Sequence, residues 1–178
     1  MEQRMTNAEL AEFNKHRNLT QICLCTNRKI EEVLQEWVDK LKVGPWGIVE
    51  MSNETVKDFG WGDQPITEPF KYYCAVAMFG QVQIEIVQKV YGPFMGDRFL
   101  KEKGEGLQHF KETFSAEEFP EAVRRYEQVF KKTFFGTFGD NRFCNFDSED
   151  SVGFTFEVGN DLDANLDPSQ IRVFPPED

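Results

Sequence analysis

The spacing of hydrophobic positions changes several times along this chain, and each change marks an element. Leu19–Thr26, LTQICLCT, is apolar and β-compatible and reads as a strand. From Asn27, a plausible N-cap, to about Lys42, the apolar residues Ile30, Val33, Leu34, Trp37, Val38 and Leu41 recur at intervals of three and four. That is one face of a helix, and Gly44-Pro45 stops it. A short strand fits 46–51. Residues 52–69, rich in Gly, Pro and acidic side chains, read as a loop-like insert. Strands follow at 72–79 and 82–88, separated by the hairpin signal Gly80-Gln81.

The pattern then begins again. Residues 92–110, GPFMGDRFLKEKGEGLQHF, hold a short charged helix candidate and a reversal at Gly104 and Gly106. A strand fits 107–114. Ser115 and Glu118 form a capping-box pattern ahead of a helix reaching about Lys132, with Pro120 in its early turns. Short strands fit 133–138, 142–146 and 152–158. The order is βαβββ, connector, βαβββ, an internal repeat of elements. Gln21 and His109 take the same place in the two first strands. Glu85 and Glu157 take the same place in the two last strands, and the insert accounts for the different offsets. The predicted divisions are an N-terminal extension (1–18, with a short helix over Asn7–Lys15), a first module (19–91), a connector (92–106), a second module (107–158) and an acidic tail (159–178). The expected fold class is α+β: two βαβββ modules forming a cupped, barrel-like mixed sheet with helices outside.

Composition narrows the function. The net charge of -11 argues against non-specific binding to nucleic acid or anionic membranes, which need basic surface. No apolar run is long enough to span a bilayer or resembles a signal peptide. With 18 Phe there is ample material for a core. The four cysteines show no metal-type spacing, and Cys23 and Cys25 share one strand face. Buried free thiols and a cytoplasmic location are the expectation.

Strand alternation isolates the candidate chemistry. Gln21 points away from Ile22 and Leu24, Glu85 from Ile84 and Ile86, His109 from Phe110, and Glu157 from Phe156 and Val158. Such residues can simply face water on half-buried strands. If the sheets curl, they converge instead inside the cup. An imidazole, two carboxylates and an amide carbonyl suit a divalent ion such as Zn, Ni, Co, Mn or Fe, and a glutamate can also move a proton.

The βαβββ repeat, with GEGLQHF following the glutamate-bearing strand VQIEIVQ, resembles the vicinal oxygen chelate superfamily over about residues 19–158. The central stretch is most similar to the methylmalonyl-CoA epimerase and glyoxalase I group. The resemblance implies a metal held by Gln21, Glu85, His109 and Glu157, a set like that of eukaryotic-type glyoxalase I, with Glu157 also a base. It further implies a homodimer. It departs from the family in its substrate-binding residues. Cys25 and Glu105 stand where glutathione-binding arginines would be, and Pro69 stands near the epimerase's further catalytic glutamate, with Glu68 one out of register.

The function this implies is a lyase or isomerase that isomerises or epimerises a small oxygen-chelating substrate through a metal-stabilised enolate. Lys111, on the face of His109, and Arg142 are candidates for an anionic substrate group. Solvated surface charge is the plainer reading of both. The alternative function is a non-catalytic, resistance-type binding protein of the same fold. An extradiol dioxygenase is disfavoured, because it needs two His ligands and the chain has only His16 and His109.

Overall fold

The computed structural model describes residues 4–160 and 166–176. Helix α1 (Asn7–Lys15) is followed by β1 (Leu19–Thr26), α2 (Ile30–Leu41), β2 (Trp46–Ser52), β3 (Val56–Trp61), β4 (Gln64–Pro65), β5 (Lys71–Phe79) and β6 (Val82–Tyr91). Then come α3 (Asp97–Glu102), β7 (Gly106–Thr113), α4 (Phe119–Glu127), β8 (Lys131–Phe138), β9 (Asn141–Asp147), α5 (Glu149–Val152), β10 (Thr155–Gly159) and β11 (Arg172–Phe174). All the strands join one mixed sheet in the order β11-β2-β5-β6-β1-β7-β10-β9-β8-β3-β4.

That order forces curvature. β2 ends at Ser52 and β3 begins at Val56, yet seven strands separate them in the sheet. Strands sit about 4.8 Å apart, so in a flat sheet the two would be roughly 38 Å from each other. The few residues between them can span only about 14 Å. The sheet must therefore wrap until its two sides meet, which makes a cup. The insert is accordingly more than the loop expected for 52–69. Its strand β3 pairs with β8 of the opposite half. Phe59, on β3, lies against Phe70 and Phe134 with ring centroids 3.9 and 4.6 Å away, tying the two halves together.

Three apolar clusters hold the cup. One lies under α2, where Ile30 and Leu34 are fully buried against Trp46, Ile48, Ala75, Ile84 and Ile86. Each of these two side chains contributes about 2 kcal/mol by leaving water. A second lies under α4, where Phe119 packs on Cys144, Phe146, Phe156 and Val158. The third fills part of the cup itself, with Phe59, Phe70, Phe94, Phe99 and Phe134. Helices α2 and α4 thus sit outside, and the opposite strand faces look inward.

Several boundaries differ from expectation. Helix α2 begins at Ile30 after Lys29, with no side-chain cap, so Asn27 does not start it. The Ser115–Glu118 box is formed, with Ser115 Oγ accepting from the Glu118 amide at 3.2 Å and Glu118 Oε2 accepting from Ser115. The regular helix begins just beyond it and ends earlier than Lys132. The strand expected from residue 152 starts only at Thr155, because Glu149–Val152 forms a helical turn closed by Gly153 at φ 89°. Part of the tail is structured too: β11 pairs antiparallel with β2. No helix among the described residues is long and apolar enough to cross a membrane.

Candidate active site

The site is built where the two halves meet, at the neighbouring strands β1 and β7. Cys23 pairs with His109, and Gln21 pairs with Lys111. On the outer flanks β6 and β10 run parallel to them. Cys23 stands opposite Glu85, and Lys111 stands opposite Glu157. One 88-residue offset carries Gln21 to His109 and Cys23 to Lys111, and it exchanges the two observed pairs. The register therefore creates two related corners. The first holds Cys23, Glu85 and His109. The second holds Lys111, Glu157 and Gln21.

At the first corner His109 is completely buried. Its Nδ1 lies 2.6 Å from Gln108 Oε1. That oxygen can only accept, so Nδ1 carries a proton, and Nε2 is the nitrogen left to meet an ion. Among the described residues Nε2 has no hydrogen-bond partner. It nevertheless faces Glu85 Oε2 and Glu157 Oε2, each at 3.4 Å. A nitrogen facing two carboxylates is stable only with a positive centre there, either a cation on its lone pair or a proton on Nε2 itself. Donors held about 2.1 Å from one tetrahedral ion lie roughly 3.4 Å apart, so the arrangement fits a divalent metal. Glu85, His109 and Cys23 place three donor atoms within 4.8 Å of one another.

The second corner is neutralised from within. Lys111 is buried at 4% exposure, and its Nζ lies 3.4 Å from Glu157 Oε1. Asn145 Nδ2 donates to Glu157 Oε2 at 2.6 Å. Gly159 makes room for the lysine, since a Cβ there would collide with Lys111 Cε. Gln21 donates through Nε2 to Gln83 Oε1, which leaves its own Oε1 without a partner.

Above both corners opens a cavity of about 390 Å³. Gln21, Glu85, Lys111 and Glu157 line its polar side. Val49, Met51, Val76, Met95, Phe138, Phe143, Leu166 and Ile171 line the rest, the last two brought by the tail. Cys74 Sγ donates to Glu85 Oε1 at 2.9 Å. Burial pushes the Cys74 and Cys23 thiols well up from the usual range, with Glu85 adding to each. The Tyr72 phenol is likewise raised, first by burial and then by Cys74 and Glu85.

Of the sequence candidates, Glu85, His109 and Glu157 therefore meet at one nitrogen. Gln21 lines the same cavity but is turned to Gln83. Lys111 is inside the cup, where it pairs with Glu157. Arg142 is elsewhere: its guanidinium covers the Phe119 ring at 4.7 Å and donates to the Ala116 carbonyl, on the outer side of β9. Sequence reasoning missed Gln83, Cys74 and Asn145. Gln83 shares a face with Glu85 two residues on, a signal that alternation offers. Asn145 is visible only through its pairing with Glu157.

No protein-family model matches the chain, and no curated protein matches it. Solved structures do. A methylmalonyl-CoA epimerase from Mycobacterium tuberculosis superposes with TM-score 0.58 at 14% identity, covering 82% of this chain and 89% of that one. This is the vicinal oxygen chelate fold. An epimerase solved with methylmalonyl-CoA and ammonium gives TM-score 0.58 at 11% identity over 83% and 96% of the two chains. The hypothetical protein BH1468 from Bacillus halodurans gives 0.54 at 15% identity over 85% and 99%. The shared architecture is the curled mixed sheet with its few outer helices.

Proposed function

We propose that this protein is a divalent-metal-dependent isomerase or epimerase that moves a proton at a carbon beside a carbonyl of a small, oxygen-chelating substrate. One observation carries the reading: the unpartnered His109 Nε2 facing Glu85 and Glu157 under an apolar-walled cavity. Glu85 and His109 would hold the ion. Glu157 and the free Oε1 of Gln21 complete the set that the family resemblance implies. A bound divalent ion would polarise the substrate oxygens and take up the charge that develops on them.

The chain's own residues supply the rest. Glu157 lines the cavity and is the proton carrier. It takes the proton from the carbon, the electron pair of the broken C–H bond moves toward the carbonyl oxygen, and the resulting carboxylic acid returns the proton to that carbon or its neighbour. Lys111 and Asn145 fix the orientation of the Glu157 carboxylate. The apolar wall excludes water from the reacting carbon. The cavity lies toward the lower end of ligand-pocket volumes of about 300–1,000 Å³, so it suits a small acid or the acyl end of a thioester. The neighbouring epimerase structure with methylmalonyl-CoA favours the thioester.

The test is exchange of the substrate α-proton with deuterated water across a panel of acyl thioesters and 2-oxo hemithioacetals, with the protein loaded with metal. Exchange with at least one class, lost in Glu157→Gln, is expected. A second reading, ligand binding without turnover, draws on the internal pairing of Glu157 with Lys111 and Asn145. Binding of panel members with no exchange would establish it instead.

A further inference from the structure

The family resemblance places the first-strand ligand at Gln21, but the strand register points to a different residue. Cys23 is the β1 residue directly opposite both Glu85 on β6 and His109 on β7. Gln21 lies opposite Gln83 and Lys111, and it spends its amide on Gln83. The Cys23 thiol is fully buried; it makes a weak contact with the Leu24 carbonyl at 3.8 Å and also lies in hydrogen-bond reach of Cys25 and Glu85. Cys23, Glu85 and His109 each offer one donor atom within 4.8 Å of the others, and His109 Nε2 is buried with no hydrogen-bond partner among the described residues.

We propose that Cys23 is a metal ligand, so that the first corner is a sulfur–nitrogen–oxygen site for a thiophilic divalent ion of the zinc or cobalt class. Glu157 is then the free carboxylate of the pair. This rests on the metal-dependent reading above, puts Cys23 in the place of Gln21 and releases Glu157 from the ligand set. On binding, the S–H bond breaks, the sulfur lone pair forms the bond to the ion, and the proton leaves to solvent. No electron is transferred. A soft thiolate beside an imidazole and one carboxylate favours zinc or cobalt over magnesium, calcium or manganese. The division also explains the buried lysine. Lys111 occupies in the second half the place that Cys23 has in the first, and it supplies there the positive charge that an ion supplies here.

The test is titration of the whole protein with cobalt(II), followed by absorption. Visible ligand-field bands report binding whatever the ligands. A near-ultraviolet charge-transfer band reports a thiolate on the ion. Wild type is expected to show both. Cys23→Ser should keep the visible bands and lose the charge-transfer band, whereas Cys74→Ser and Cys25→Ser should keep both. X-ray absorption of the zinc form needs no variant and should show one sulfur at about 2.3 Å. Visible bands with no charge transfer and no sulfur shell would overturn Cys23 as a ligand and leave the metal reading standing. A charge-transfer band that survives Cys23→Ser but is lost in Cys74→Ser would overturn it in favour of Cys74. Absence of cobalt binding in wild type would overturn the proposal and the metal reading together.

Discussion

On one side of the cup Cys23 stands between Glu85 and His109. On the other, the matching position holds Lys111, beside Glu157 and across from Gln21. Both sides have one glutamate on the outer strand, reached by the same register. They differ in how that glutamate's charge is met. Glu157 has an ammonium at 3.4 Å and an amide at 2.6 Å. Glu85 has a thiol donor at 2.9 Å, and the imidazole nitrogen of His109 stands 3.4 Å from both glutamates. A duplicated framework can therefore divide its labour, with one half gathering donors for an ion and the other holding a carboxylate ready for a proton. The difference rests on single residues at matched positions, so exchanging them tests it.

The largest effect falls on the chemistry of the second corner. Glu157→Gln should lower solvent exchange of the substrate α-proton by about 10²–10⁴-fold, the usual contribution of a positioned general base. Proton NMR in deuterated water measures this. Retained exchange would move the base to another residue.

The next effect is on stability. Lys111→Met leaves Glu157 buried without its cation and should cost about 3 kcal/mol or more in urea unfolding of the metal-free protein. Cys23→Ala, at the matched position, removes only a small buried apolar group and should cost about 1 kcal/mol. Equal losses would mean that Lys111 is not an internal counter-ion. Metal acts on the other corner. Zinc at about 100 times its dissociation constant should stabilise wild type by about 2.7 kcal/mol. Thermal or urea unfolding should show that gain abolished by chelator and absent from His109→Ala. The smallest effect is Gly159→Ala, whose new Cβ collides with the flexible end of Lys111. It should cost about 1 kcal/mol and leave zinc affinity unchanged.

Much of this was legible in the chain because it is local. The three-and-four spacing of Ile30, Leu34 and Trp37 and the alternation in VQIEIVQ depend on nearby residues only, and the matching helix and strand are present. The shared inward face of Glu85, His109 and Glu157 followed from alternation plus curvature. What escaped depends on distant partners. The β3–β4 stretch looks like loop because Asp58, Gly60, Gly62 and Pro65 punctuate it, and the strand character of β3 comes from pairing with β8, far along the chain. Alternation puts Lys111 on the inward face, but its burial needs the notch at Gly159, and lysine is ordinarily exposed. The sequence marks Cys23 as a buried thiol. Its position between Glu85 and His109 appears only once the β6–β1–β7 register is known. Arg142 was one residue from the inward face, with Asn141 and Phe143 lining the cavity on either side.

The central claim is that the two corners are chemically distinct, and the zinc dissociation constant tests it most directly. Competition with a chromophoric chelator can measure it for wild type, Cys23→Ala and Glu157→Gln under identical conditions. The account predicts that Cys23→Ala weakens zinc binding by roughly tenfold or more, at least 1.4 kcal/mol, while Glu157→Gln stays close to wild type. Zinc binding that weakens with Glu157→Gln and is indifferent to Cys23→Ala would contradict it.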